Sequence, residues 1–263
     1  MLNLSALHNK KLFPSAEQPA MVLVLENDQV GKNDTLVFAS AERSDSFARH
    51  GIVEFFLERI SHLPVSRVIS EDHLLKIASF GTPRDRAILQ SLNADNKTLK
   101  QTLESWGTSL NQGFIRGSKP NPIPAEISNL AMLEGVLLQR FHQNVVGLPP
   151  FEYRTMEHAR DPKIYRAPVL LVQQSLQNDR LTAATCKNDV VYSRSYFRVP
   201  LGEHGWRSDL LNTFFNSSLA TYCFLLTATR FGIDKQIAEQ NDLNRLPFLS
   251  LIHISEPTRL RRI

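Results

Sequence analysis

Basic side chains alternate with aromatic rings along the stretch from Phe151 to Arg198. Phe151-Glu152-Tyr153-Arg154, Arg160, Lys163-Ile164-Tyr165-Arg166, Lys187 and Tyr192-Ser193-Arg194-Ser195-Tyr196-Phe197-Arg198 all belong to it. A guanidinium can pair at two points with guanine in a major groove, and any Lys or Arg can neutralise a phosphate. The spacing therefore fits a face that binds nucleic acid. Taken by itself it fits better a solvated strand face on which Arg stems pack against Tyr rings. Upstream, Gly113-Phe114-Ile115-Arg116-Gly117 has its glycines four apart and no following Lys-Ser/Thr, so it is not a P-loop. It reads either as a strand closed by a turn, or as a close backbone approach that aims Arg116 and Lys119 at a phosphate or base edge. The candidate contacts are thus Arg116, Lys119, Arg154, Arg166, Arg194 and Arg198.

Other chemistries find little support. No glycine pair shows the GxG spacing of a dinucleotide or S-adenosylmethionine loop. The eight histidines are dispersed, and His142 and His158 have no Cys or His partner at ligand spacing, so no metal site is expected. Asp, Glu and Lys do not fall into the spaced acidic pair followed by E-x-K that many nucleases show. Ser217 and Ser218 lack a glycine-flanked elbow, which argues against a serine hydrolase. No catalytic or cofactor-binding residue is assigned.

These residues need elements to position them. Ala20-Met21-Val22-Leu23-Val24-Leu25 predicts a buried strand, and Thr35-Leu36-Val37-Phe38-Ala39 a second one paired with it as a hairpin. A sheet needs more than two strands, so the pair reads as the last edge of a sheet whose remainder is absent. Gly51 to Ile60 and Val65 to Ile69 predict short strands around a turn at Ser61-His62-Leu63-Pro64. Pro83 to Leu92 and Thr98 to Trp106 predict helices. Residues 111–126, with Gly113, Gly117, Pro120, Pro122 and Pro124, predict a linker or domain entrance. From there to Pro200, short apolar runs predict a small β-rich module. Ser208 to Arg230 predicts one long helix, N-capped by Ser208 and ended by Phe231-Gly232, with Leu211, Phe215, Tyr222, Leu225 and Leu226 as its apolar stripe.

Composition sets the frame. The 263 residues are 42% hydrophobic and 21% charged, near the globular average, which excludes disorder, collagen-like repeats and a disulfide-stapled miniprotein. Two cysteines without CxxC spacing point to a reducing cytoplasm. The longest apolar run, Leu219 to Ala228, falls short of the roughly 20 residues that a bilayer requires. No export signal is expected at the N-terminus, and no membrane partner. The net charge is +4, but residues 249–263 resemble translated sequencing-adapter sequence and are set aside as a non-native tail. Arg259, Arg261 and Arg262 against Glu256 supply two of the four net positive charges, so bulk basicity carries no argument.

Leu148-Pro149-Pro150-Phe151 is similar to the aspartate/asparagine-Pro-Pro-aromatic loop of amino-directed DNA methyltransferases, but Leu148 stands where an oxygen acceptor is needed. Asn121-Pro122-Ile123-Pro124 keeps the amide and lacks the second proline and the aromatic. Neither can both grip an amine and stack a flipped base, so both read as proline turns.

Several other stretches, in order, resemble the C-terminal portion of the adenine-specific N6 DNA methyltransferases of restriction-modification systems. Leu4-Ser5-Ala6-Leu7 through Lys11-Leu12-Phe13, then Gln18-Pro19-Ala20-Met21-Val22-Leu23-Val24, resembles the end of their methyltransferase sheet. Gln112-Gly113-Phe114-Ile115-Arg116-Gly117 resembles the start of their target-recognition region, and Tyr165-Arg166-Ala167-Pro168-Val169-Leu170-Leu171-Val172 an internal strand of it. The predicted long helix, Phe231-Gly232-Ile233 and Asp242-Leu243-Asn244-Arg245-Leu246-Pro247-Phe248 resemble its ending.

The resemblance implies an α+β chain. Edge strands of an incomplete α/β methyltransferase sheet (residues 1–45) and a helical and strand connector (46–110) would precede a β-rich target-recognition domain closed by a long C-terminal helix (111–248). It implies double-stranded DNA as partner, with a restriction or specificity subunit as a further one. S-adenosylmethionine would be the cofactor of the full-length protein and no cofactor that of this piece, the cofactor and catalytic loops lying upstream. Two alternatives remain: a self-contained enzyme such as a nuclease fused to recognition machinery, and a non-catalytic interaction module whose apolar helix packs on a partner.

Overall fold

The computed structural model describes residues 1–7, 20–24, 31, 33–42, 44–115, 123–135, 137–152, 157, 161–202, 205–233 and 235–249. The adapter-like tail, save Leu249, lies outside them. The chain is α+β and forms two units, Met1–Ala94 with Leu225–Gln236, and Asp95–Phe224 with Ile237–Ile263.

The first unit contains strands β1 (Leu2–Asn3), β2 (Met21–Val22), β3 (Thr35–Ser40) and β4 (Ile60–Pro64), in the order β2-β1-β3-β4. The expected hairpin is therefore interrupted. β1 lies between its two arms, antiparallel to β2 and parallel to β3. The first residues have the free donors and acceptors to do this: the Met1 ammonium donates to the Val37 carbonyl at 2.8 Å, and Leu4 N–H to the Ala20 carbonyl at 3.1 Å. β2 is consequently an edge strand rather than a buried one, and Met21, Leu23 and Val24 are exposed.

A second correction concerns Ser61 to Pro64. The expected turn is the body of β4, paired antiparallel with β3 from Thr35↔Pro64 to Ala39↔Ile60. Helix α1 (Asp45–His50), capped by the Ser44 side chain, precedes it. The expected strand at Val65 to Ile69 is instead helix α2 (Val65–Ser70). Its apolar residues Val65, Val68 and Ile69 are spaced three and four apart, the helical period rather than the alternating one. Helix α3 (Leu74–Phe80) follows, then α4 (Pro83–Asp95) where a helix was expected. Thr82 and Asp85 bond reciprocally across the first turn of α4, Thr82 N–H to Asp85 Oδ2 at 2.7 Å and Asp85 N–H to Thr82 Oγ1 at 3.3 Å. The late segment 225–236 is held by Lys76 of α3, whose ammonium donates to the Ala228 carbonyl at 2.7 Å and to that of Phe231.

In the second unit, α5 (Leu99–Ser105) lies where a helix was expected and begins on a capping box formed by Thr98 and Gln101. Five strands follow the order β5-β11-β8-β9-β7: β5 (Asn111–Gln112), β7 (Phe141–His142), β8 (Val169–Gln173), β9 (Ala183–Cys186) and β11 (Tyr196–Pro200). β6 (Ala131–Leu133) and β10 (Val190–Tyr192) form a separate parallel pair. The β-rich module expected here is present. β8 is central, antiparallel to both neighbours, and all five of its residues are buried. Its apolar core includes Phe114, Phe151, Tyr165, Tyr192 and Tyr196.

The single long helix is two helices, α6 (Gly205–Phe215) and α7 (Ser218–Thr227). Ser208 lies inside α6 and does not cap it; its hydroxyl is 2.5 Å from Thr185 Oγ1 on β9. The break comes from two polar residues. Asn216 Nδ2 donates to the carbonyls of Ala183 and Asn212, both at 2.9 Å, and Ser217 Oγ accepts from Ala220 N–H at 3.0 Å as the cap of the next helix. α7 ends at Thr227, and Gly232, at φ 75°, lies in the turn beyond it. α6 buries Leu211 and Phe215 and packs on β8 and β9.

Candidate nucleic-acid interface

Gly113 is where the local chain and the long-range fold meet. A Cβ there would lie 2.1 Å from the Tyr192 carbonyl oxygen and 2.6 Å from that of Ser193, so only glycine fits. Through this approach Phe114 N–H donates to the Tyr192 carbonyl at 3.1 Å, and Arg194 N–H donates to the Phe114 carbonyl at 2.8 Å. Glu157 N–H donates to the Ile115 carbonyl at 3.0 Å. Three segments distant in sequence, those around residues 115, 157 and 194, are thereby tied together by their backbones.

Arg194 sits in the turn between β10 and β11, is exposed, and its guanidinium makes no hydrogen bond or ion pair among the described residues. Arg166 precedes β8 and pairs with Asp189, Nη1 to Oδ2 at 2.5 Å. Ala167 N–H donates to the other Asp189 oxygen at 2.8 Å. Partial burial of Asp189 opposes its charge, but the Ala167 N–H and the Arg166 guanidinium together hold its carboxyl below the usual range. Arg166 is thus an anchor for the turn before β10 as well as an exposed cation. Arg198 lies on β11 opposite Leu171, half-buried, with an enclosed Nε that has no hydrogen-bond partner among the described residues. Its charge faces Tyr192, whose hydroxyl donates to the Ile164 carbonyl at 2.8 Å. Burial pushes that phenol upward despite the cation. Arg116, Lys119 and Arg154 lie outside the described residues.

The proline segment at Leu148 to Phe151 runs beside β6: Met132 N–H donates to the Pro149 carbonyl and Phe151 N–H to that of Leu130, each at 2.8 Å. Phe151 is buried edge-on against Phe114, with ring centres 5.4 Å apart. It is a core residue rather than a base-stacking one. Asn121 and Pro122 of the other proline segment lie outside the described residues. Both cysteines are buried thiols outside any disulfide; desolvation pushes Cys186 up to about 12 and Cys223 up to about 11.

Sequence reasoning missed Arg207, whose guanidinium lies 5.2 Å from the Trp106 ring centre and 5.6 Å from that of Trp206. The available signal was that the chain has two tryptophans, one beside Gly107 and the other between Gly205 and Arg207. In the first unit a cavity of about 770 Å³ opens along β4, flanked by the Arg59–Glu42 and Arg86–Glu71 ion pairs; none of the candidate contacts lines it. Among the described residues, no group of three or more His, Cys, Asp or Glu is placed to hold a metal ion, and no helix is long and apolar enough to cross a membrane. Comparison with protein-family models finds no match, and comparison with curated proteins finds none either.

Proposed function

We propose that the second unit recognises a site in double-stranded DNA, as the target-recognition portion of an adenine-specific N6 DNA methyltransferase of a restriction-modification system. The full-length enzyme would draw its methyl group from S-adenosylmethionine, and no residue of this chain is given a catalytic role. The observation that carries the reading is the backbone junction at Phe114 and Ile115. It joins the segments that lead to Arg116 and Lys119, that follow Arg154, and that hold the exposed Arg194. Phosphate binding requires cations on one module, and an exposed Arg on a fixed turn, such as Arg194, can read a base edge. The sequence resemblance supplies the enzyme class.

The alternative in which an apolar helix docks on a partner is less well supported, because α6 already packs its apolar face on β8 and β9. Duplex binding by the purified chain, followed by anisotropy over a range of salt, tests the proposal. The expected result is an affinity that falls with salt at a log–log slope of about −0.9 per phosphate contacted. Binding indifferent to salt would count against it.

A further inference from the structure

We infer that Trp206 and Arg207 form a platform on which an unpaired nucleobase stacks, a contact additional to those expected from the basic segments. The inference rests on the DNA-recognition reading above. Trp206 opens α6 and leaves 53% of its surface exposed, although it is an indole in a module that encloses most of its other large rings. Its position is fixed from beneath. Trp106 meets it edge-on, with ring centres 5.4 Å apart at 77°. Phe248 in turn braces Trp106 at 5.9 Å, and Phe214 lies 4.8 Å from Phe248. Phe214 and Phe248 are buried, so the exposed indole is the outermost member of a rigid aromatic stack.

Arg207 adds a cation with donors to spare. Its Nη1 donates to the Trp106 carbonyl at 3.3 Å, and its enclosed Nε has no hydrogen-bond partner among the described residues. A cleft of about 280 Å³ opens on the Trp106 side of Arg207, lined by Trp106, Gly107, Thr108, Gly202 and Arg207 but not by Trp206. That is just under the range of sites for drug-sized ligands, and it suits a single planar or anionic group. A flat π-surface next to a guanidinium favours a heteroaromatic ring that carries acceptors and a nearby phosphate, which describes a nucleotide taken out of its stack.

Both tryptophans of the chain belong to this one site, so intrinsic fluorescence reports on it directly. The experiment titrates the full chain with a fully paired duplex and with the same duplex carrying one bulged nucleotide, reading indole emission and oligonucleotide anisotropy together. The bulged duplex should quench the emission, and Trp206→Ala should weaken its binding about 10-fold while leaving the paired duplex unaffected. Trp206→Phe, which keeps a ring, should retain most of the affinity, and an unchanged melting curve shows that either variant folds. If the chain binds the paired duplex, but the bulged duplex neither quenches the emission nor binds more weakly to Trp206→Ala, the platform is overturned and the DNA-recognition reading stands. Failure of the wild-type chain to bind either duplex would overturn both. If Trp206→Ala binds DNA normally but loses self-association in size-exclusion chromatography, the ring is a protein contact and the inference is wrong.

Discussion

Arg194 donates its backbone N–H to the carbonyl of Phe114 at 2.8 Å, fixing the turn between β10 and β11 to the strand end that leads toward Arg116. The bond exists because Gly113 lets the two backbones approach more closely than any Cβ would permit. Arg194 is thus an exposed cation on a backbone pinned at both ends of its turn.

Gly113→Ala should be among the most damaging single substitutions in the second unit. The new methyl would meet backbone oxygen rather than a yielding side chain, and such overpacking costs about 3 kcal/mol. Thermal melting should show the loss, and duplex affinity should fall with it.

Arg194→Ala and Arg198→Ala should separate cleanly. The exposed Arg194 should leave the melting temperature unchanged, yet reduce the salt slope of DNA binding by about one. The half-buried Arg198, whose stem packs on the sheet and whose charge faces Tyr192, should lower the melting temperature when removed. Calorimetry and anisotropy on the two variants check both statements. The double variant should bind more weakly than either single one.

Asp189 sets an acid limb. Its carboxyl is held below its ordinary 3.8, so its contribution is complete above that value and is lost as pH falls through the lower, folded-state value. Asp189→Asn should flatten the loss of melting temperature below about pH 4. The effect should be under about 1 kcal/mol, because Arg166 is more than half exposed.

The thiols act at the other extreme. With Cys186 raised from 9.0 to about 12, the unfolded chain releases a proton that the folded chain retains between those values, so stability falls as pH rises through that window. Cys186→Ala should show a shallower alkaline decline. At pH 8 a disulfide reagent should react with neither Cys186 nor Cys223 in the folded protein, and with both in urea.

Asn216→Ala should cost about 2–3 kcal/mol by leaving buried backbone groups of Ala183 without partners. Urea unfolding measures it.

The elements legible in the sequence were those whose signals are local. Pro83 at its start and the apolar residues Ala87, Ile88 and Leu92 announce α4, and the apolar run at Val169 announces β8 by itself. The elements misread were decided by distant partners. The arms of the expected hairpin are separated by Leu2 and Asn3, and the expected long helix is cut where Asn216 finds Ala183. The candidate site divides the same way. Gly113 stands out in the sequence for its spacing, but nothing local brings Phe114 to Arg194 or Trp106 to Trp206.

The anchoring of residues 225–236 by Lys76 has a consequence for biosynthesis. The lysine leaves the ribosome 152 residues ahead of the Ala228 carbonyl that receives it. At typical translation speeds of about 5–20 residues per second, the nascent first unit waits on the order of 10–30 s for its closing segment. During that interval the residues between them emerge before the first unit can close.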